Sequence, residues 1–124
     1  MRSLFFIVFC CLILSACSNE RKTNLKREVI YKPTLDVRLD ISGKQVTVIV
    51  NTDLKISSKH LGMAREPGEG HIHMYLDNGD KIVHEQYQFV LKDLDIGQHS
   101  LKVSLHNNDH TPFDVTKTIA FEIK

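Results

Sequence analysis

Short runs of alternating apolar and polar residues recur from residue 35 to the end of the chain. In the first run, Asp36, Arg38 and Asp40 separate four aliphatic residues. A period of two is typical of a β-strand that has one face against a core. This pattern and the turn residues between the runs predict strands at residues 35–41, 46–50, 71–76, 81–84, 87–91, 101–105 and 119–123.

No apolar period of 3.6 extends over a helix-length window after residue 16. Turn signals separate the strands, and among them Asn78-Gly79 predicts a hairpin because both residues tolerate positive φ. About seven short strands in about 90 residues are typical of an immunoglobulin-like β-sandwich. The pattern therefore predicts an all-β domain of two packed sheets.

The segment Leu94-x-x-Gly97-x-His99-x-Leu101-x-Val103 refines this prediction. It resembles the corner before the penultimate strand of fibronectin type III and immunoglobulin-like domains, where tyrosine occupies the position of His99. In that corner the tyrosine hydroxyl bonds back to the backbone. The resemblance implies a structural role for His99, whose ring N–H would replace the hydroxyl, in a fibronectin III-like sandwich.

The front of the chain has the marks of a secretory leader. Arg2 precedes an apolar run over residues 4–14, which is shorter than the ~20 residues of a membrane-spanning helix. Leu14-Ser15-Ala16-Cys17 resembles a bacterial lipobox, which implies cleavage before Cys17 and acylation of this cysteine. The alternative is an ordinary signal peptide that contains a cysteine.

Three segments follow from this interpretation. Residues 1–16 are predicted to be a lipoprotein signal peptide, residues 17–33 the lipidated cysteine and a flexible tether, and residues 34–124 the sandwich domain. The acyl chains would hold the protein on the extracytoplasmic side of the cell membrane or the outer membrane. The membrane is thus the first expected partner.

Cysteine content and charge exclude several functions. Two of the three cysteines lie in the leader and lipid would consume Cys17, so the mature chain would have no disulfide and no thiolate metal site. Removal of residues 1–16 takes away one basic residue, Arg2, and leaves 15 basic and 15 acidic residues. This balance gives no reason to expect nucleic-acid binding, which normally leaves a basic surface.

All seven histidines lie between residues 60 and 110. His71 and His73 share one face of a predicted strand, and two imidazoles in that position form half of a site for copper or zinc. The other ligands would come from His60 or His110, with His84 and His106 as further candidates. The competing interpretation is that these histidines are solvated surface residues.

A wider resemblance covers the segment from His60 to Phe113. Pro67-Gly68-Glu69-Gly70-His71-x-His73-x-Tyr75-x-Asp77, followed by Asn108-Asp109-His110-Thr111-Pro112, resembles a group of small bacterial extracytoplasmic domains in which both motifs occur together. The resemblance implies that His71, His73 and His110 belong to one feature. A metal site and a hydrogen-bonded structural cluster both fit it.

No enzyme motif is present in the mature chain, which lacks a nucleophile elbow and a phosphate-binding glycine loop. The sequence therefore predicts a non-enzymatic envelope lipoprotein whose histidine-rich sandwich binds copper or zinc. The alternative is an envelope interaction module that binds a protein or glycan partner. A third hypothesis is pH sensing by the clustered imidazoles, which titrate near neutrality.

Overall fold

Eight strands form in the part of the chain that the computed structural model describes, residues 30–124. They are β1 (Asp36–Ser42), β2 (Gln45–Asn51), β3 (Lys55–Ile56), β4 (Glu69–Leu76), β5 (Ile82–His84), β6 (Gln88–Leu91), β7 (Gly97–Asn107) and β8 (Pro112–Ile123). The described residues contain no helix long and apolar enough to cross a membrane. The predicted signal peptide, the lipidation of Cys17 and most of the predicted tether lie outside these residues.

The strands form two sheets, with the orders β1-β2-β6 and β3-β4-β7-β8; β5 pairs with β4 on the edge that β3 also occupies. Between the sheets lies a core to which the alternating apolar positions of β2, β4 and β7 contribute. The prediction of an all-β, immunoglobulin-like sandwich is confirmed. The members of this core that are entirely buried include Val46, Val48, Ile72, Met74, Leu101, Val103 and Leu105.

Two strand predictions need correction. Residues 30–124 contain eight strands rather than about seven, because residues 55–56 form a short parallel pairing with the start of β4. The closing strand begins at Pro112 rather than near residue 119. Residues 112–118 are mostly polar, yet backbone pairing with β7 extends the strand through them.

The turn between β4 and β5 lies one residue earlier than predicted. The hairpin forms, but the left-handed residues are Asp77 (φ 51°) and Asn78 (φ 56°), and the N–H of Gly79 donates to the carbonyl of Leu76 at 2.8 Å. Asp and Asn are the non-glycine residues that adopt this conformation most readily. Asp77-Asn78 therefore forms the turn in place of Asn78-Gly79.

A bulge interrupts the pairing of β7 with β8. Leu105 pairs with Val115, whereas the next residue, His106, pairs with Pro112. A bulge bends its strand and changes the direction of neighbouring side chains. This one lies immediately before the turn that carries His110.

Candidate metal centre

Strand β4 places His71 and His73 side by side on the face opposite the core. Ile72 and Met74 are completely buried between the sheets, so the two histidines point the other way. That outer face is nevertheless shielded, since His71 is 0% and His73 2% exposed. The prediction of a half-buried strand is therefore wrong for this stretch, and so is the competing interpretation that the two histidines are solvated surface residues.

Two segments meet over this end of the sheet and account for the burial. The loop between β3 and β4 contacts the turn between β7 and β8, where the N–H of Gly62 donates to the carbonyl of Asn108 at 2.7 Å. A Cβ atom added to Gly62 would lie 4.0 Å from Nε2 of His110. Loop, turn and sheet together enclose the pair of histidines.

The β7–β8 turn brings His110 to them. The N–H of His110 donates to the carbonyl of Asn107 (2.9 Å), and the N–H of Asn107 donates to the carbonyl of Thr111 (2.8 Å). His110 itself adopts a left-handed backbone conformation with φ 66°. In this conformation its ring faces the rings of His71 and His73.

Three imidazole nitrogens converge as a result. Nε2 of His71 lies 2.9 Å from Nε2 of His73 and 3.0 Å from Nδ1 of His110, and the third pair is 3.5 Å apart. These are the three side chains among the described residues whose ligand atoms are grouped closely enough to hold a metal ion. An ion 2.0–2.1 Å from each nitrogen would lie about 0.9 Å above their plane, and tetrahedral ligands at that distance are about 3.3 Å apart.

Hydrogen bonds cannot satisfy all three contacts at once. A neutral imidazole has one N–H and one lone pair, so each of the three nitrogens is either a donor or an acceptor. Because all three nitrogens contact one another, at least one contact must join two donors or two acceptors. A cation that accepts all three lone pairs removes this conflict.

Burial keeps the pair in the form that binds metal. Desolvation, reinforced by the neighbouring imidazoles, lowers the pKa of His71 from 6.5 to about 4 and that of His73 to about 3. Both rings are therefore neutral at pH 7 and have a free lone pair. Metal binding at neutral pH would therefore not have to release the second proton of an imidazolium from either ring.

A fourth imidazole, His106, lies against the three but does not point at them. Its ring stacks on that of His73, with centroids 3.6 Å apart and an interplanar angle of 24°. Its Nδ1 is 3.0 Å from the carbonyl oxygen of His110 and its Nε2 is 3.0 Å from Oγ of Ser104. Both ring nitrogens are thus occupied by other partners.

The structure does not bring His60, the fourth predicted ligand, into the group. Its Nδ1 is 2.6 Å from Oε1 of Glu69, a carboxylate that also contacts Nζ of Lys55 at 3.2 Å. The hydrogen bond from His60 is the main reason that the pKa of Glu69 is lowered. His60 therefore binds a buried carboxylate instead of facing the triad.

His99 and His84 have separate surroundings. One ring nitrogen of His99 (Nε2) is 2.7 Å from the carbonyl oxygen of Asp95, four residues upstream, and the other is 2.7 Å from the carboxylate of Asp77. These acceptors raise the pKa of His99, with the Asp95 carbonyl as the largest cause. His84 stacks on Phe89 with centroids 3.8 Å apart.

One buried atom of the site has no partner among the described residues. Nδ1 of His71 is inaccessible to solvent and makes no hydrogen bond. When Nε2 of this ring binds a cation, the proton must reside on Nδ1. Metal-ligating histidines normally donate that proton to an acceptor, so His71 departs from the usual pattern.

The sequence analysis named His106 only as a further candidate ligand and missed Ser104, although a signal for the placement of both residues was present. Leu101, Val103 and Leu105 face the core, so the intervening residues of β7 must face outward beside β4. The register then pairs Ser104 with His73 and His106 with His71. That register depends on strand order, which the alternation alone does not give.

Comparisons with known proteins give a fold and no family. No family model matches the chain, and no curated protein matches it. Among solved structures, the chain is similar to the PKD1 domain of Vibrio anguillarum Epp, with a TM-score of 0.52 and 14% identity over 76% of this chain and 95% of that one. At this identity the likeness supports the immunoglobulin-like sandwich and says nothing about function.

Proposed function

We propose that this domain binds one transition-metal ion, zinc or copper, through Nε2 of His71, Nε2 of His73 and Nδ1 of His110. The observation that carries the proposal is the convergence of these nitrogens at separations of 2.9, 3.0 and 3.5 Å. A hydrogen-bonded structural cluster is the weaker explanation because it leaves at least one repulsive contact among the three rings. The neutrality of His71 and His73 at pH 7 adds further support.

The geometry favours zinc, or copper(I), over copper(II). Copper(II) prefers a square-planar or tetragonal arrangement, in which three ligands include a trans pair about 4 Å apart. The largest separation here is 3.5 Å, so the three nitrogens form a facial set. Zinc readily accepts such a set as three corners of a tetrahedron.

The ligand set also suggests how the ion would be used. Structural zinc sites normally have four protein ligands, whereas three ligands leave one coordination position for an exogenous group. An open position is also typical of catalytic zinc sites, but Glu69, the buried carboxylate two residues before His71, is engaged by His60 and Lys55 and is not free to act as a general base. We therefore propose storage, delivery or sensing of the ion as the role, without a catalytic function.

We further propose that the domain is held at the cell envelope by lipid on Cys17. The support is the lipobox-like segment Leu14-Ser15-Ala16-Cys17 after a short apolar run. Intact-protein mass spectrometry of material from a bacterial host should show a chain that begins at Cys17 and carries acyl groups. A Cys17→Ser variant should remain unacylated, and an unmodified wild type would contradict the proposal.

The metal proposal is tested by elemental analysis of the full-length protein, purified in detergent and equilibrated with zinc(II) or copper(II) before desalting. We expect about one zinc per wild-type chain and background levels in His71→Ala/His73→Ala and in His110→Ala. His84→Ala is the matched control, because this histidine stacks on Phe89 apart from the triad. Equal metal in the wild type and the triad variants would refute the proposal.

A second candidate function is an interaction module for a protein or glycan. It is favoured by a groove of about 820 Å³ with Tyr31 and Phe113, whose rings meet edge to face at 6.0 Å, in its lining. Ile30 at the same groove is 86% exposed. Trace metal in all variants of the experiment above would leave this candidate as the better one, and Phe113→Ser should then weaken partner binding.

A further inference from the structure

His106 touches two of the three converging histidines by two different kinds of contact. Its ring lies face to face with His73 at 3.6 Å, and its Nδ1 lies 3.0 Å from the backbone oxygen of His110. The stack restricts rotation of the His73 ring. The contact with the carbonyl restrains the turn from which the His110 ring projects.

The bonding partners also define the protonation of His106. A carbonyl oxygen only accepts, so Nδ1 carries the proton and donates it to His110. Nε2 then has the lone pair and accepts from the hydroxyl of Ser104, which is 6% exposed. His106 would have to give up Ser104 and its stack on His73 to bind a metal, so it is unsuited to be a ligand.

The contact with His110 has a structural purpose. A non-glycine residue in the left-handed region is strained, so surrounding contacts must hold it there. For His110 these are its own N–H bonded to Asn107 and its carbonyl bonded to His106. Loss of the second bond would free the ring of His110 to turn away from His71.

We infer that His106 is a positioning residue of the metal centre, which orients His73 by stacking and His110 through its carbonyl without binding the ion. This inference rests on the proposed function. Residues that orient metal ligands typically change affinity by 10–100-fold when they are replaced. We expect His106→Ala to weaken zinc binding by about that factor while the stoichiometry remains one.

The test measures zinc affinity of the full-length protein by competition with a chromophoric chelator. His106→Phe retains an aromatic ring on His73 and loses the bond to His110, whereas His106→Asn retains a donor for that carbonyl and loses the stack. Each should lose less affinity than His106→Ala. Ser104→Ala removes the partner of Nε2 and a longer contact, 3.5 Å, to the carbonyl oxygen of His73, and it should cause a smaller loss. His84→Ala should cause none.

X-ray absorption of the zinc-loaded protein separates positioning from ligation. Three imidazoles should be found in the wild type and in every His106 variant. Four in the wild type and three in His106→Ala would make His106 a ligand and overturn the inference, as would wild-type affinity in all His106 variants. A wild type that binds no zinc would refute the proposed function itself. If His106→Ala does not fold, the zinc affinities of His106→Phe, His106→Asn and Ser104→Ala test the inference instead.

Discussion

Replacement of Gly70 by alanine should destabilise the domain by about 3 kcal/mol, because β4 and β7 approach each other closely at this residue. A Cβ atom at Gly70 would lie 2.1 Å from the carbonyl oxygen of His106 and 3.2 Å from Cδ2 of Leu54, whereas ordinary contact begins near 3.4 Å. The obstacle is backbone, so no rotamer change relieves it. The two strands would have to separate by about 1 Å, with weakening of the ladder between them.

The magnitude follows from what this separation disrupts. Loss of about two backbone hydrogen bonds costs roughly 2 kcal/mol, and overpacking against Leu54 adds about 1–3 kcal/mol. The substitution also stabilises the protein by about 0.5–1 kcal/mol, because alanine lowers the conformational entropy of the unfolded chain. The net loss is a large part of a typical stability of 5–15 kcal/mol.

Urea unfolding followed by far-UV circular dichroism measures this loss in the metal-free protein, which has no tryptophan to report by fluorescence. Gly43→Ala is the matched control, since Gly43 has φ 58° and nothing within 4 Å of an added Cβ. It should cost only about 1–2 kcal/mol, from backbone strain. A Gly70→Ala variant that is as stable as Gly43→Ala, or more stable, would refute the packing argument.

Three further predictions concern the histidines. Without metal, stability should fall between pH 7 and pH 5, because the pKa values of His71 (about 4) and His73 (about 3) are below the unfolded value of 6.5 and the unfolded chain therefore takes up protons first. At pH 5 the free energy of unfolding should be lower by about 2 kcal/mol for each ring. Urea titrations in the presence of a chelator measure it, and a stability that is constant between pH 7 and pH 5 would contradict the prediction. The pKa of His99 is raised, so its effect on stability has the opposite pH dependence. The stabilisation from His99 is complete below pH 6.5 and is lost as the pH rises through the pKa of the folded state. Thermal unfolding of His99→Phe should therefore lack this loss of stability at higher pH. Zinc at 100 times its Kd should stabilise the protein by about 2.7 kcal/mol, and the same melting shift in His110→Ala would count against the triad.

The alternation along the chain was sufficient to predict the sandwich and the paired histidines. Ile72 and Met74 have the same phase as the rest of the core, and this phase alone puts His71 and His73 together on the opposite face. The association of His110 with them came from a resemblance between motifs, because nothing in the local pattern relates residues 37 positions apart. Its placement depends on a bulge and a left-handed residue, neither of which periodicity encodes.

The burial of the pair was not predictable, because periodicity describes one strand at a time. His71 and His73 are enclosed by a loop and a turn from elsewhere in the chain, which meet through the bond between Gly62 and Asn108. The same limitation applies to His60, whose location in an irregular loop concealed its carboxylate partner, Glu69. Tertiary contacts determined which histidines converge.

Nitrogen NMR of the histidine rings tests the central claim most directly. In the uniformly ¹⁵N-labelled full-length protein, one equivalent of zinc should strongly shift Nε2 of His71, Nε2 of His73 and Nδ1 of His110. The ring nitrogens of His84 and His99 should keep their metal-free shifts. Unchanged spectra, or shifts confined to histidines outside the triad, would contradict the account.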